Sequence, residues 1–151
     1  MAAIWRDGKH PLHGLAPEAV RNTLIGHIGI EFLEAGDDWL KGRMPVDART
    51  YQPFGVLHGG ASVALAETLA SWAGTSAVSA DSICVGMEIN ANHVRPAREG
   101  WVYGVARAEA LGRTTQVWSI RITDEEDRLV CISRMTLAVV PWPPKRPQAG
   151  P

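Results

Sequence analysis

The period at which apolar residues recur changes along the chain, and each change marks an element. Ile83, Val85, Met87, Ile89 and Ala91 sit two apart and predict a strand running to about Val94. Ala61 to Ala73 has no such alternation: small and apolar residues follow one another almost without a break, which predicts a helix opening at His58-Gly59-Gly60 and ending near Ala77. Before it, Pro17 and the residues after it predict a short helix. Ile28–Glu34 and Trp39–Val46 predict two strands joined by a turn at 35–38, and 47–57 predicts a loop. After it, Trp101–Leu111, Thr115–Thr123 and Leu129–Val140 predict three more strands, with tight connections at Gly112-Arg113 and at the charged tip 124–127.

Consecutive strands with short turns imply an antiparallel sheet, so the fold class is α+β. A helix apolar nearly all round has to be covered. The economical arrangement curls one sheet around it, with the open sheet edges covered by a second copy of the chain. The expected organisation is an irregular segment at 1–15, one folded domain at 16–140 and a tail at 141–151 with five prolines.

Length and composition narrow the function. One hundred and fifty-one residues suffice for one core. Fifteen Lys and Arg against sixteen Asp and Glu leave a net charge of −1, so charge alone holds neither a nucleic-acid backbone nor an anionic membrane. No apolar run reaches the length of a membrane span, and the first residues lack the apolar core of a signal peptide, so a cytoplasmic protein is expected. Cys84 and Cys131 lie in apolar runs and are expected buried and reduced. Neither they nor the five scattered histidines have metal-ligand spacing, so no metal and no cofactor is expected.

Glu67 is the only charged side chain between Thr50 and Asp81, and its helical neighbours Val63, Ala64, Ala70 and Ser71 offer no cation. A carboxylate on such a helix either meets a partner from elsewhere in the fold or does chemistry. His58-Gly59-Gly60 at a helix start is either an ordinary glycine loop or a place where unpaired amides stabilise a developing oxyanion. The His-Gly-Gly run lacks the G-x-S-x-G partner of a lipase-type site. Gln52 carries an uncharged donor, and Ser71 stands one helical turn beyond Glu67.

Taken together, the run 44–67 with Gln52, His58-Gly59-Gly60 and Glu67, the run Gly86–Arg95 and the run Gly112–Trp118 resemble the hotdog-fold acyl-CoA thioesterases. The likeness is to the phenylacetate-type and hydroxybenzoyl-CoA-type branch, and it covers about residues 20–140. The resemblance implies an antiparallel sheet wrapped around a central helix, dimers joined through their sheets, and dimers paired into tetramers. It implies Glu67 as nucleophile or general base, Gly59 as backbone oxyanion donor, Gln52 as the donor orienting the thioester, His58 as a holder of loop and substrate, and Ser71 as the residue positioning water. Trp72 departs from the smaller residue usual at the family's acyl pocket. Trp72 and Phe54 are expected to contact an aromatic or compact acyl group. His93, Arg95, Arg113 and Thr114 are expected to meet coenzyme A, or the outer basic surface to meet a carrier protein.

Geometry adds an argument of its own. Gly59 and Glu67 are eight residues apart, about 12 Å along a helix at 1.5 Å per residue. Both act on one carbonyl only if they come from different subunits. Two other readings compete: a hydroxyacyl-thioester dehydratase on the same fold, and a non-catalytic acyl-binding protein.

Overall fold

The computed structural model describes residues 2–13, 15 and 17–143, Pro17 by its backbone only. The expected tail therefore lies outside the described residues from 144 onward. Two short helices, α1 (Pro17–Arg21) and α2 (Leu24–His27), precede strands β1 (Glu31–Ala35) and β2 (Trp39–Pro45). The long helix α3 (Gly59–Ser76) follows, then β3 (Ser82–His93), β4 (Trp101–Leu111), β5 (Thr115–Thr123) and β6 (Leu129–Pro141).

The six strands form one antiparallel sheet in the order β1-β2-β4-β5-β6-β3. After β2 the chain crosses to the far edge through α3, so β1 and β3 are the two edge strands. The alternation that predicted the strands sets the core. On β5, Gln116, Trp118, Ile120 and Ile122 face inward, each two residues from the next. Met135 and Leu137 of β6 and Leu40 and Met44 of β2 join them against Leu65, Leu69, Ala70 and Ala73 of α3. Gln116 is buried and satisfied: its amide oxygen accepts from Trp118 Nε1 at 2.9 Å, and its amide nitrogen donates to the Gly74 carbonyl at 3.4 Å.

The sheet curls over α3 as expected: it covers the face carrying Leu65, Leu69 and Ala73, while Gly60 and Glu67 on the opposite face are exposed in the single chain. One strand boundary needs correction. The first strand starts at Glu31 because Leu24–His27 is already helical. Ile28 N–H donates to the Leu24 carbonyl and Ile30 N–H to that of Ile25, which uses the backbone groups a longer strand would need. The described part of the N-terminal segment holds one 3-10 turn, Arg6–Gly8, and is anchored. Trp5 is buried and its Nε1 donates to the Gly36 carbonyl at 2.7 Å, while Trp72 Nε1 donates to the Pro11 carbonyl at 2.9 Å. Cys84 and Cys131 are buried, unbonded thiols, and no helix is long and apolar enough to cross a membrane.

Candidate active site

The loop before α3 is built to hold Gln52 next to the helix start. Thr50 Oγ1 donates to the Pro45 carbonyl, and the carboxylate of Asp47 accepts from Arg49, whose hydrogen bonds hold the Asp47 carboxyl below the usual range. Gln52 and Val56 close a tight turn, Gln52 N–H donating to Val56 O at 2.9 Å, and Leu57 N–H ties the loop to Ala97 O at 2.8 Å. Phe54 N–H donates to Gln52 Oε1 at 2.5 Å. The oxygen of this amide is thereby engaged, and its Nε2–H group is left as a donor.

His58 is the N-cap of α3. Its Nδ1 accepts from Gly60 N–H at 2.8 Å, so the neutral ring carries its proton on Nε2. The Ala61 and Ser62 amides donate to the His58 carbonyl. Among the described residues, the Gly59 N–H alone of these first amides has no acceptor. That amide lies at the positive end of an 18-residue helix. A side chain at position 59 would displace the exposed His93 ring: a Cβ there would stand 2.8 Å from His93 Nε2 and 3.1 Å from Cε1. His93, at the end of β3, thus covers the helix start. Gln52, Gly59, His93 and Arg95 line one cleft of about 360 Å³.

Glu67 lies elsewhere. It lines a second, larger hollow of about 570 Å³ with Ser71, Trp72, Thr75, Ile83 and Cys84, and Gly59 is not part of it. The Glu67 carboxylate stands over Gly86 of β3, where a Cβ would be 3.0 Å from Oε1. It makes no hydrogen bond or ion pair among the described residues. Glu67 is exposed in the single chain because α3 leaves that face open. Apart from the hydroxyls of Thr68, Ser71 and Thr75, the rest of the hollow is apolar. Trp72 packs against Phe32 with ring centroids 5.4 Å apart, and burial pushes the Cys84 thiol up to about 11.

Of the other expected contacts, Phe54 is 88% exposed and lines neither hollow. Arg113 and Thr114 sit at the β4–β5 connection, beside Val139, whereas His93 and Arg95 sit beside Cys131 and Val130. At about 3.3 Å per residue along β6, the two groups are roughly 30 Å apart. One chain does not bring them together. The anchoring of the N-terminal segment was not among the expectations; its one signal is the large apolar pair Ile4-Trp5 ahead of a polar run.

A sheet curled on one long helix, with an amide-bearing cleft at the helix start and an acid over an apolar hollow, defines a hotdog-fold enzyme acting on an acyl group. The comparisons agree. The model of the thioesterase superfamily matches residues 54–131. The 1,4-dihydroxy-2-naphthoyl-CoA hydrolase of Escherichia coli is 54% identical over 118 residues, 78% of this chain and 87% of that protein. The proofreading thioesterase EntH of Cronobacter turicensis is 52% identical over 118 residues, 78% of this chain and 86% of that protein. A solved thioesterase of Haemophilus influenzae superposes with a TM-score of 0.83 at 48% identity, covering 86% of this chain and 91% of that one. The chain belongs to the thioesterase superfamily and is a thioester hydrolase.

Proposed function

We propose that Glu67 of one subunit and the Gly59 amide of its partner act on one thioester carbonyl. The observation that carries this reading is the division of the machinery on a single chain: Gly59 stands over His93, and Glu67 stands over Gly86. The β3 edge is unpaired, and it exposes Val85 (41%), Met87 (63%) and Val94 (56%). Two β3 strands paired antiparallel, with His93 of one opposite Gly86 of the other, set each Glu67 beside the other chain's Gly59. The same register sets Val85 against Val94 of the second chain and covers Met87. It joins the sheets into one and gives two sites per dimer. It also carries Arg113 and Thr114 of one chain toward the His93 and Arg95 end of the other.

In this site the carbonyl oxygen takes hydrogen bonds from Gly59 N–H and Gln52 Nε2–H. Glu67 takes the proton of a water held with Ser71, and the water oxygen bonds to the carbonyl carbon. When the oxyanion collapses, the C–S bond breaks and the proton on Glu67 passes to the departing sulfur. Direct attack by Glu67 gives an anhydride that water then opens, and it uses the same residues. A single turnover in heavy-oxygen water separates the two routes, since only the anhydride route leaves label in Glu67.

The thiol is coenzyme A, with Arg95 and His93 at the cleft meeting its phosphates together with Arg113 and Thr114 from the second chain. The flat apolar wall of Trp72, Ile83 and Cys84 suits an aromatic or compact acyl group, as the name of the dihydroxynaphthoyl-CoA relative also supports. The two reduced thiols fit a cytoplasmic location. The test is Glu67→Gln assayed by thiol release on an aryl-CoA. Turnover is expected to fall about a thousandfold with substrate still bound; turnover within tenfold of the parent would reject the assignment.

A further inference from the structure

The hollow that holds Glu67 has a neighbour: a separate pocket of about 270 Å³ that shares Trp72 and Thr75 with it. Arg6, Lys9, His10 and His13 of the N-terminal segment line this pocket, and no acid does. Among the described residues, neither Arg6 nor Lys9 forms an ion pair. His10 Nδ1 accepts from Leu12 N–H at 3.3 Å, so its Nε2–H is a donor. The pocket is fixed in place by the buried Trp5 and by the bond from Trp72 Nε1 to Pro11 O.

We propose that this pocket seats a carboxylate at the far end of the acyl group, so that the enzyme accepts thioesters of acids bearing a second acidic group. The inference rests on the placement of the reacting carbonyl beside Glu67. From Glu67 to Thr75 is eight residues, about 12 Å along the helix, the length of an extended acyl group of some ten carbons. Along that path the surroundings run from one negative charge, through Trp72, Ile83 and Cys84, to two cations, Arg6 and Lys9, and two imidazoles. An acyl carboxylate is repelled from the Glu67 end and held at the other by charge-assisted hydrogen bonds, which fixes the direction in which the substrate lies.

The experiment compares kcat/KM for decanedioyl-CoA, its ω-methyl ester and decanoyl-CoA. The intact protein is expected to favour the free diacid over its methyl ester roughly tenfold, through KM, as for a hydrogen bond to a charged group. The preference should weaken as salt rises. In Arg6→Ala/Lys9→Ala the ratio falls to about one, and in Arg6→Glu/Lys9→Glu it inverts. Equal rates for diacid and ester in the intact protein, or a preference that survives both double variants, overturns the proposal. Failure of the underlying site reading shows separately, as turnover of decanoyl-CoA by Glu67→Gln.

Discussion

Subunit mixing gives the sharpest test of a site shared between chains. Glu67→Gln removes the acid. Gly59→Ala puts a Cβ 2.8 Å from His93 Nε2, so the ring must shift beside the proposed oxyanion donor. Each variant alone is expected to lose at least a hundredfold in turnover, the scale of losing an oxyanion donor or a general base. Neither should unfold the protein. Glu67 is exposed and unpaired among the described residues, so its replacement by an isosteric amide should change stability by less than about 0.5 kcal/mol. When the two variants are denatured together in equal amounts and refolded, about half of the dimers pair unlike chains. Each hybrid has one site combining the intact Gly59 of the first variant with the intact Glu67 of the second, and one site lacking both. The mixture should therefore recover about a quarter of the parental activity. The assay is thiol release before and after mixing, with each variant refolded alone as control. Activity no greater than the sum of the two controls would refute a site built across subunits and would leave Gly59 and Glu67 without a shared substrate.

Other consequences are open to simple measurement. Met87→Lys places a charge on the β3 edge that is proposed to pair, so sedimentation velocity should show smaller particles and thiol release should fall with them; an unchanged assembly would point to another interface. Trp118→Ala empties a fully buried position between sheet and helix and should cost about 3–5 kcal/mol in urea unfolding. Burial raises the Cys84 thiol from 9.0 to about 11. Between those values the unfolded chain releases this proton while the folded one keeps it, so the urea midpoint should drop as pH rises from about 9 to about 11, and the drop should shrink in Cys84→Ala. Gln52→Ala should lower kcat about a hundredfold with little change in melting temperature, because its Nε2–H is the donor proposed for the carbonyl oxygen and its Oε1 makes only one exposed bond within the turn.

Much of this molecule was written in its pattern. The alternation of Gln116 to Ile122 fixes strand and face together, because successive strand side chains point to opposite sides; that of Ile83 to Ala91 marks a strand but not its face, since Cys84 is buried while Val85 and Met87 are exposed and the register shifts between Gly86 and Glu88. The small-residue run after Gly59 fixes a helix that a sheet can approach closely. Glu67 stood out because nothing near it in sequence could neutralise its charge. Tertiary structure decided what local pattern does not encode. Glu67 is exposed, not buried, because the sheet covers only one face of α3, and which face is covered depends on strands up to seventy residues away. Phe54 reads as a pocket residue by type but points out of a turn that Gln52 closes. Arg113 and Arg95 look alike in sequence, yet opposite ends of β6 hold them apart. The first dozen residues carry no periodicity at all. They are held by two indole hydrogen bonds, from Trp5 to Gly36 and from Trp72 to Pro11, and partners 31 and 61 residues apart become neighbours only once the sheet has closed on its helix.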